Sequence, residues 1–215
     1  MLPSLYPILD IDLLAARSMD LASVAAAWHA AGVTLMQYRN KQGSARTMLN
    51  DVARLREIFP ADGASHLILN DRADLALLAG CDGVHVGQTD VSVEDARRIV
   101  GGGAWVGVST HSAEQVIEAE ETSCDYIAYG PIFQTGSKIN PNPTVGLEGL
   151  RAVRTLTAKP LVAIGGITRK NCRSVLDAGA NSLAVISDLL PAGGDGNSNG
   201  RTTLQIVEEF LTLLR

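Results

Sequence analysis

The sequence predicts a (β/α)8 TIM barrel, a single α/β domain over residues 1–215, and three observations carry that expectation. Eight short apolar runs rich in Val, Ile and Leu are separated by stretches of helical periodicity, the alternation expected of βα units on a parallel sheet. Three of the intervening helices end in glycine just before the next run, at Gly32, Gly80 and Gly179, where a left-handed residue closes the last turn. A chain of 215 residues holds eight such units with little room for insertions. An open, doubly wound parallel sheet is the other topology compatible with the pattern.

Taken in order, the predicted strands begin with Tyr6–Leu9 and Thr34–Gln37, the second placed directly after Ala31-Gly32-Val33. His66–Asn70 is the third, and Gly83–Val86, the fourth, follows Ala79-Gly80-Cys81. Ser92 is the expected N-cap of the next helix, which leads to strand Trp105–Ser109. Ser112-Ala113-Glu114-Gln115 fits a capping box, with the Gln115 side chain expected on the Ser112 N–H. Tyr126–Gly130, Leu161–Gly165 and Leu183–Ile186 complete the set, with Thr168 a candidate N-cap and Gly179 a helix end between the last two. Residues 191–200 contain four Gly and two Asn and read as a flexible loop ahead of a final helix over Thr202–Leu214.

Composition narrows the function classes. At 46% hydrophobic residues the chain can bury one sizeable core. The first apolar stretch carries Asp10 and Asp12 and lacks a basic flank, unlike a secretory signal. No run approaches the roughly 18 apolar residues that span a bilayer. Cys81, Cys124 and Cys172 are odd in number and widely spaced, which suits reduced thiols in a cytoplasmic protein rather than disulfides or a C-x-x-C metal pattern. A formal charge of −5 and pI near 5.3 argue against nucleic acid or an anionic membrane as partner. Small molecules are the expected partners; a homo-oligomer is compatible with the sequence. Any anionic ligand must be met by local groups or a metal.

In a barrel the residues just past each strand carry the chemistry. Strand two runs into Gln37-Tyr38-Arg39-Asn40-Lys41, where alternation sets an amide and two cations, Gln37, Arg39 and Lys41, on one side. Strand three ends in Asn70-Asp71-Arg72 and strand four in Gly87-Gln88-Thr89-Asp90. Asp71 and Asp90 are thus carboxylates at neighbouring strand ends, suited to a hard cation such as Mg2+. Taken singly, each is better explained structurally, Asp71 by pairing with a cation and Asp90 by capping the helix near Ser92. Strand six leads to Thr135-Gly136-Ser137-Lys138, a hydroxyl-rich turn with one lysine that suits phosphate. Strand five ends in Ser109-Thr110-His111, strand seven in Gly165-Gly166, and strand eight in Ile186-Ser187. The loops after strands seven and eight are the usual phosphate site of this fold, although Gly165-Gly166 is equally explained as a tight turn. Arg39, Lys41 and Lys138 with a carboxylate-bound cation would hold a pyrophosphate, and Gly166 with Ser187 a single phosphate. Two phosphorylated ligands and a transfer between them follow, driven by positioning and electrostatics.

These residues resemble the thiamine-phosphate synthase (thiamine-phosphate pyrophosphorylase) family over nearly the whole chain. The segments that carry the resemblance are Gln37 to Lys41, Leu69 to Arg72, Asp82 to Asp90, Gly107 to Ser109, Tyr129 to Phe133, Thr135 to Lys138, Ala163 to Ile167 and Val185 to Ser187. The resemblance implies a barrel enzyme that joins 4-amino-5-hydroxymethyl-2-methylpyrimidine diphosphate to 4-methyl-5-(2-hydroxyethyl)thiazole phosphate, releasing diphosphate through a carbocation-type substitution helped by Mg2+. It implies that Gln37, Tyr38, Arg39, Asn40, Lys41, Asn70, Ser109 and Lys138 bind the pyrimidine diphosphate, with Lys138, Ser109 and Arg39 closest to the chemistry. It assigns Mg2+ to Asp71 and Asp90, and the thiazole phosphate to Thr135, Gly136, Ser137, Gly166, Ile186 and Ser187. Ser137 stands where the family more often has Thr, and Gln134 where Pro is common, which alters loop stiffness.

Other residues read as structural. His85 lies inside a strand among apolar neighbours and is expected to be packed, as are His29, His66, Trp28 and Trp105; His111 could face the site, and Tyr129 is a candidate for the barrel mouth. Two alternatives remain: a thiazole-phosphate isomerase or regulatory relative of the same fold, which needs neither the carboxylates nor the diphosphate cations, and a non-catalytic anion-binding barrel.

Overall fold

The structure, a computed structural model, describes residues 2–135, 143–192 and 201–215. Eight parallel strands close into a barrel in sequence order, the first pairing with both the second and the eighth. The strands are β1 (Leu5–Asp10), β2 (Leu35–Arg39), β3 (His66–Asn70), β4 (Gly83–Val86), β5 (Trp105–Thr110), β6 (Tyr126–Tyr129), β7 (Leu161–Ile164) and β8 (Ser182–Val185). Around them run α1 (Ile11–Ala16), α2 (Leu21–Ala30), α3 (Ala45–Arg56), α4 (Ala73–Leu78), α5 (Val93–Val100), α6 (Ala113–Glu120), α7 (Gly146–Arg154), α8 (Cys172–Asp177) and α9 (Thr203–Leu213). The closed ladder removes the open-sheet alternative. Each predicted strand lies within a residue or two of an observed one, because apolar runs and strand burial share a cause.

Strand alternation divides the buried side chains into two cores. Leu9, Met36, Tyr38, Leu67, Val84 and Ile127 point outward and pack under the helices. Tyr6, Ile8, Leu35, Ile68, Tyr126, Ala128, Val162 and Ala184 point inward and fill the barrel. Tyr129, expected near the mouth, belongs to the outer core; its parity in β6 is opposite to that of Tyr126 and Ala128. Two glycines make the interior possible. A Cβ on Gly107 would lie 2.0 Å from the Tyr126 ring, and one on Gly83 would lie 2.3 Å from the Trp105 carbonyl oxygen.

Gly32, Gly80 and Gly179 adopt φ of 97°, 63° and 108°, as helix ends of this type require. Ser92 and Ser112 cap α5 and α6 by accepting from the Asp95 and Gln115 N–H groups. The reciprocal half of the predicted box is displaced by one residue: Gln115 Oε1 accepts from His111 N–H at 2.7 Å. Thr168 is not an N-cap, because α8 starts at Cys172 after an extra turn in which Asn171 Oδ1 accepts the Thr168 N–H. A complete capping box occurs instead at Thr202 and Gln205, opening α9.

The N-terminal face of the barrel repeats one device three times. Asp82, Asp125 and Asn181, each just before an even-numbered strand, accept from the first or second N–H of the strand before, at 2.7, 2.7 and 2.8 Å. Arg56, Arg97 and Arg154, near the ends of α3, α5 and α7, bind the same side chains. Each arginine therefore fastens a helix end to a strand start by charge-assisted or polar hydrogen bonds. These contacts lie at the face where a barrel invests in stability rather than chemistry.

Candidate active site at the C-terminal mouth

A cavity of about 400 Å3 opens at the C-terminal ends of the strands. Gln37, Arg39, Lys41, Asn70, Asp71, Asp90, Ser109 and Ile186 all line it, so eight of the residues chosen from sequence converge on one space. Its lower wall is apolar, formed by Ile8, Ala128, Val162, Ile164 and Ala184. Cations and carboxylates occupy the β2 to β4 side of the rim.

The β2 end behaves as its alternation requires. Gln37 is buried against Tyr6, and Arg39 is held by an ion pair with Asp10, the N-cap of α1. Tyr38 and Asn40 have the opposite parity and face away from the cavity: Tyr38 is buried, donates to Asp51 Oδ2 at 2.6 Å and accepts from Asn40 Nδ2 at 3.0 Å. These two assist the site by holding the β2 end in place.

Asp71 occupies an unusual backbone. Its φ is 65°, and the Arg72 N–H bonds back to the Asn70 carbonyl at 2.8 Å, a tight three-residue turn. A non-glycine residue in this region costs about 1 kcal/mol or more and needs its surroundings to hold it. Here the Asp71 N–H donates to the His85 carbonyl at 2.8 Å, and the Lys41 ammonium lies on Asp71 Oδ2 at 2.5 Å. Burial raises the Asp71 carboxyl above the usual range; Lys41 opposes the shift and the adjacent Asp90 carboxyl adds to it. Asp90 does not cap α5. Its Oδ2 accepts from Gly87 N–H at 2.7 Å, closing the 87–90 turn.

The two carboxylates therefore meet at the rim, where Asp90 disfavours the charge on Asp71. That arrangement fits a hard divalent cation, which relieves the repulsion and takes its remaining ligands from water and phosphate oxygens. Among the described residues no three His, Cys, Asp or Glu side chains gather into a metal cluster. Lys41 is 42% exposed and can swing from Asp71 to a ligand.

The segments expected from sequence to meet phosphate follow β6 and β7. Ile132 and Phe133 donate N–H groups to the Ile164 and Gly165 carbonyls at 2.9 and 3.0 Å, fixing the segment that leads to Thr135. Gly165 and Gly166 have φ of 100° and 64°. A Cβ on Gly166 would come within 2.6 Å of the Gln134 carbonyl oxygen and 2.7 Å of Phe133 Cβ, so close approach and conformation both require glycine. Gly166, Thr135 and Ser187 do not line the main cavity. Ser187 begins a 3-10 helix, Ser187–Leu189, beside a separate hollow bordered by Thr168 and Arg169. Gly136, Ser137 and Lys138, and all but the first two residues of the 191–200 loop, lie outside the described residues.

The cavity also contains residues that sequence reading set aside. His85 is buried, as expected, yet it reaches the cavity floor with Tyr6. His111 lines the wall and its Nδ1 donates to the Gly130 carbonyl at 2.6 Å. Gln88 lines the cavity and donates to the Ser109 carbonyl at 2.6 Å. Strand parity with Ser109 could have flagged His85; Tyr6 carried no local signal. His29 and His66 are structural: His29 meets Phe59 edge to face, and His66 lies tilted against Trp105.

A family model described as thiamine monophosphate synthase matches residues 5–189. The chain is 58% identical over 191 residues to a thiamine-phosphate synthase of Koribacter versatilis, covering 88% of this chain and 90% of that protein. A thiamine-phosphate synthase of Chloroflexus aurantiacus is 41% identical over 188 residues, with 87% and 85% covered. Among solved structures, thiamine phosphate pyrophosphorylase from Pyrococcus furiosus superposes with a TM-score of 0.81 at 31% identity, covering 98% of this chain and 95% of that one.

Proposed function

Since the chain belongs to the thiamine monophosphate synthase family, a family of transferases, we propose that it couples 4-amino-5-hydroxymethyl-2-methylpyrimidine diphosphate with 4-methyl-5-(2-hydroxyethyl)thiazole phosphate. The products are thiamine phosphate and diphosphate. One observation supports the assignment most: Gln37, Arg39, Lys41, Asn70, Asp71, Asp90 and Ser109 line one cavity with cations and carboxylates side by side. A thiazole-phosphate isomerase or a passive anion binder has no use for paired carboxylates next to diphosphate-binding cations.

In this reading the pyrimidine ring lies on the apolar wall of Ile8, Val162 and Ala184 with its diphosphate toward Arg39 and Lys41. Asp71 and Asp90 would hold Mg2+, which when bound neutralises charge that develops on the departing diphosphate. The bond from the pyrimidinylmethyl carbon to the diphosphate oxygen breaks, the oxygen keeps the electron pair, and the thiazole nitrogen supplies the pair for the new C–N bond. Lys138 and Arg39 stabilise the leaving group, and Ser109 orients the pyrimidine substrate. Thr135, Gly136, Ser137, Gly166, Ile186 and Ser187 would hold the thiazole phosphate. Apolar walls keep water from capturing the cation before the thiazole does.

The test is product formation from the two purified substrates, with Mg2+ and with a chelator. Thiamine phosphate appearing only with Mg2+ supports the full reading. Folded protein that binds thiazole phosphate yet forms no product would shift the assignment to the isomerase or regulatory relative.

A further inference from the structure

Beneath the cavity, four hydrogen bonds connect side chains from five strands. Gln37 Nε2 donates to the Tyr6 hydroxyl at 3.0 Å, which bonds the Tyr126 hydroxyl at 2.8 Å. Tyr126 bonds His85 Nδ1 at 3.1 Å, and His85 Nε2 bonds Ser109 Oγ at 2.8 Å. Tyr6 and Tyr126 are essentially fully buried, and Gln37 and His85 are nearly so. We propose that this chain is a directional relay that fixes His85 as its Nε2–H tautomer and turns the Ser109 hydroxyl proton into the cavity, with Tyr6 and Tyr126 as positioning residues.

The direction follows from counting protons. Burial pushes both phenols well above their ordinary range, so each keeps its single proton. The Gln37 amide fills one acceptor position on Tyr6. If Tyr6 donates to Tyr126, Tyr126 donates to His85 Nδ1 and His85 Nε2–H donates to Ser109 Oγ, every link has one donor and one acceptor. In the opposite sense Tyr6 would accept from both Gln37 and Tyr126. Its own proton would then have no acceptor among the hydrogen bonds of the described residues, on a cavity floor where Tyr6 is only 1% exposed. A doubly protonated His85 forces the same defect. In the favoured sense Ser109 Oγ accepts from His85, so its O–H points elsewhere, and Ser109 borders the cavity.

Packing holds the relay in place. The Tyr6 and Tyr126 rings meet edge to face with centroids 5.8 Å apart, and His85 stacks on Tyr126 at 5.6 Å. Gly107 leaves the space the Tyr126 ring occupies. The relay thus joins two residues assigned to the pyrimidine diphosphate, Gln37 and Ser109, through a path that never touches the ligand at Tyr126. The consequence for the ligand rests on the synthase reading; the tautomer does not.

Imidazole 15N NMR decides the tautomer, with the His85 signals assigned by their loss in His85→Asn. Wild type should show Nε2 protonated and Nδ1 bare, and Tyr126→Phe or Tyr6→Phe should give a tautomer mixture; either serves if the other fails to fold. Nδ1–H in wild type, or no change in both variants, would overturn the relay. Calorimetric titration with the pyrimidine diphosphate tests the ligand half. Tyr126→Phe should weaken binding by roughly 3- to 10-fold in wild type but by less than about 2-fold in Ser109→Ala, the non-additivity of coupled residues. Additive losses would overturn that half. No binding to wild type would sink the substrate reading and the ligand half with it, leaving the NMR to decide the relay.

Discussion

Asp71→Asn separates the metal reading of the rim from a purely structural one. The change removes a charge at nearly constant shape, and Asn tolerates the φ of 65° that this position requires. Without metal, the Asp71 carboxyl is desolvated and adjoins Asp90, with Lys41 as partial compensation. A carboxyl raised in the folded state binds more protons there than in the unfolded chain. Asp71 therefore costs stability as pH rises from about 3.9 through its raised value, and the cost persists at neutral pH. Losing the Lys41 pair returns little, about 0–1 kcal/mol, because Lys41 is 42% exposed and solvent screens it. The metal-free Asn variant should therefore melt no lower than wild type at pH 7. Under the metal reading, adding Mg2+ with inorganic diphosphate at about 100 times its dissociation constant should stabilise wild type by ~2.7 kcal/mol. For a domain of this size that is a rise of about 5–11 °C. Differential scanning calorimetry with chelator and with Mg2+ should show that rise in wild type and less than about a third of it in Asp71→Asn. An equal rise in both would remove Asp71 from the metal site. A chelated variant melting more than about 4 °C below wild type would show that the carboxylate is net stabilising.

Four further outcomes are expected. Lys138→Ala should lower turnover at least about tenfold, or ~1.4 kcal/mol of transition-state stabilisation, and near-normal turnover in steady-state assays of the folded variant would remove its leaving-group role. Gly166→Ala places a Cβ 2.6 Å from the Gln134 carbonyl oxygen at positive φ. It should cost about 2–4 kcal/mol in chemical denaturation and raise KM for thiazole phosphate more than for the pyrimidine substrate; equal KM effects would count against the phosphate assignment. Asp125→Ala removes one of the Arg97 acceptors and leaves the Val106 N–H without its acceptor and should lower stability by about 1–3 kcal/mol with kcat unchanged, whereas a loss below ~0.5 kcal/mol would mean the strap is dispensable. The Cys81 thiol is pushed up to about 12 by burial, so it should resist alkylation at pH 8 until the protein unfolds; rapid labelling of native protein, mapped by mass spectrometry, would contradict that.

Much of the architecture is legible because its signals are local. Leu67, Ile68 and Leu69 mark β3 since a strand covered on both faces must be apolar throughout. Gly80 and Gly179 mark helix ends since few other residues adopt their φ. Parity within Gln37 to Lys41 separates Gln37, Arg39 and Lys41 from Tyr38 and Asn40. The outward turn of Tyr129 follows the same rule, since Tyr126 and Ala128 point inward. Thr168 misleads because its carbonyl, like that of an N-cap, accepts from the turn that follows, and only the extra turn before Cys172 distinguishes the two.

By itself the sequence determined the eight βα units, the family, and the group of strand-end residues that meets at one mouth, because strand burial and the chemistry of charged ligands select residue types position by position, while the closure of those units into a barrel was read from the ladder. Tertiary structure alone decided which of those residues act on one another. Lys41 rests on Asp71, Asp90 takes the Gly87 N–H rather than a helix end, and Tyr6 reaches Tyr126 across 120 residues of chain. The Tyr6–Tyr126 pairing depends on barrel closure, which brings together side chains whose separation in sequence carries no trace of their contact. The proton direction through Tyr6, Tyr126 and His85 goes further still, since it is set by the need of every buried donor for an acceptor, a condition satisfied by the network as a whole and by no residue alone.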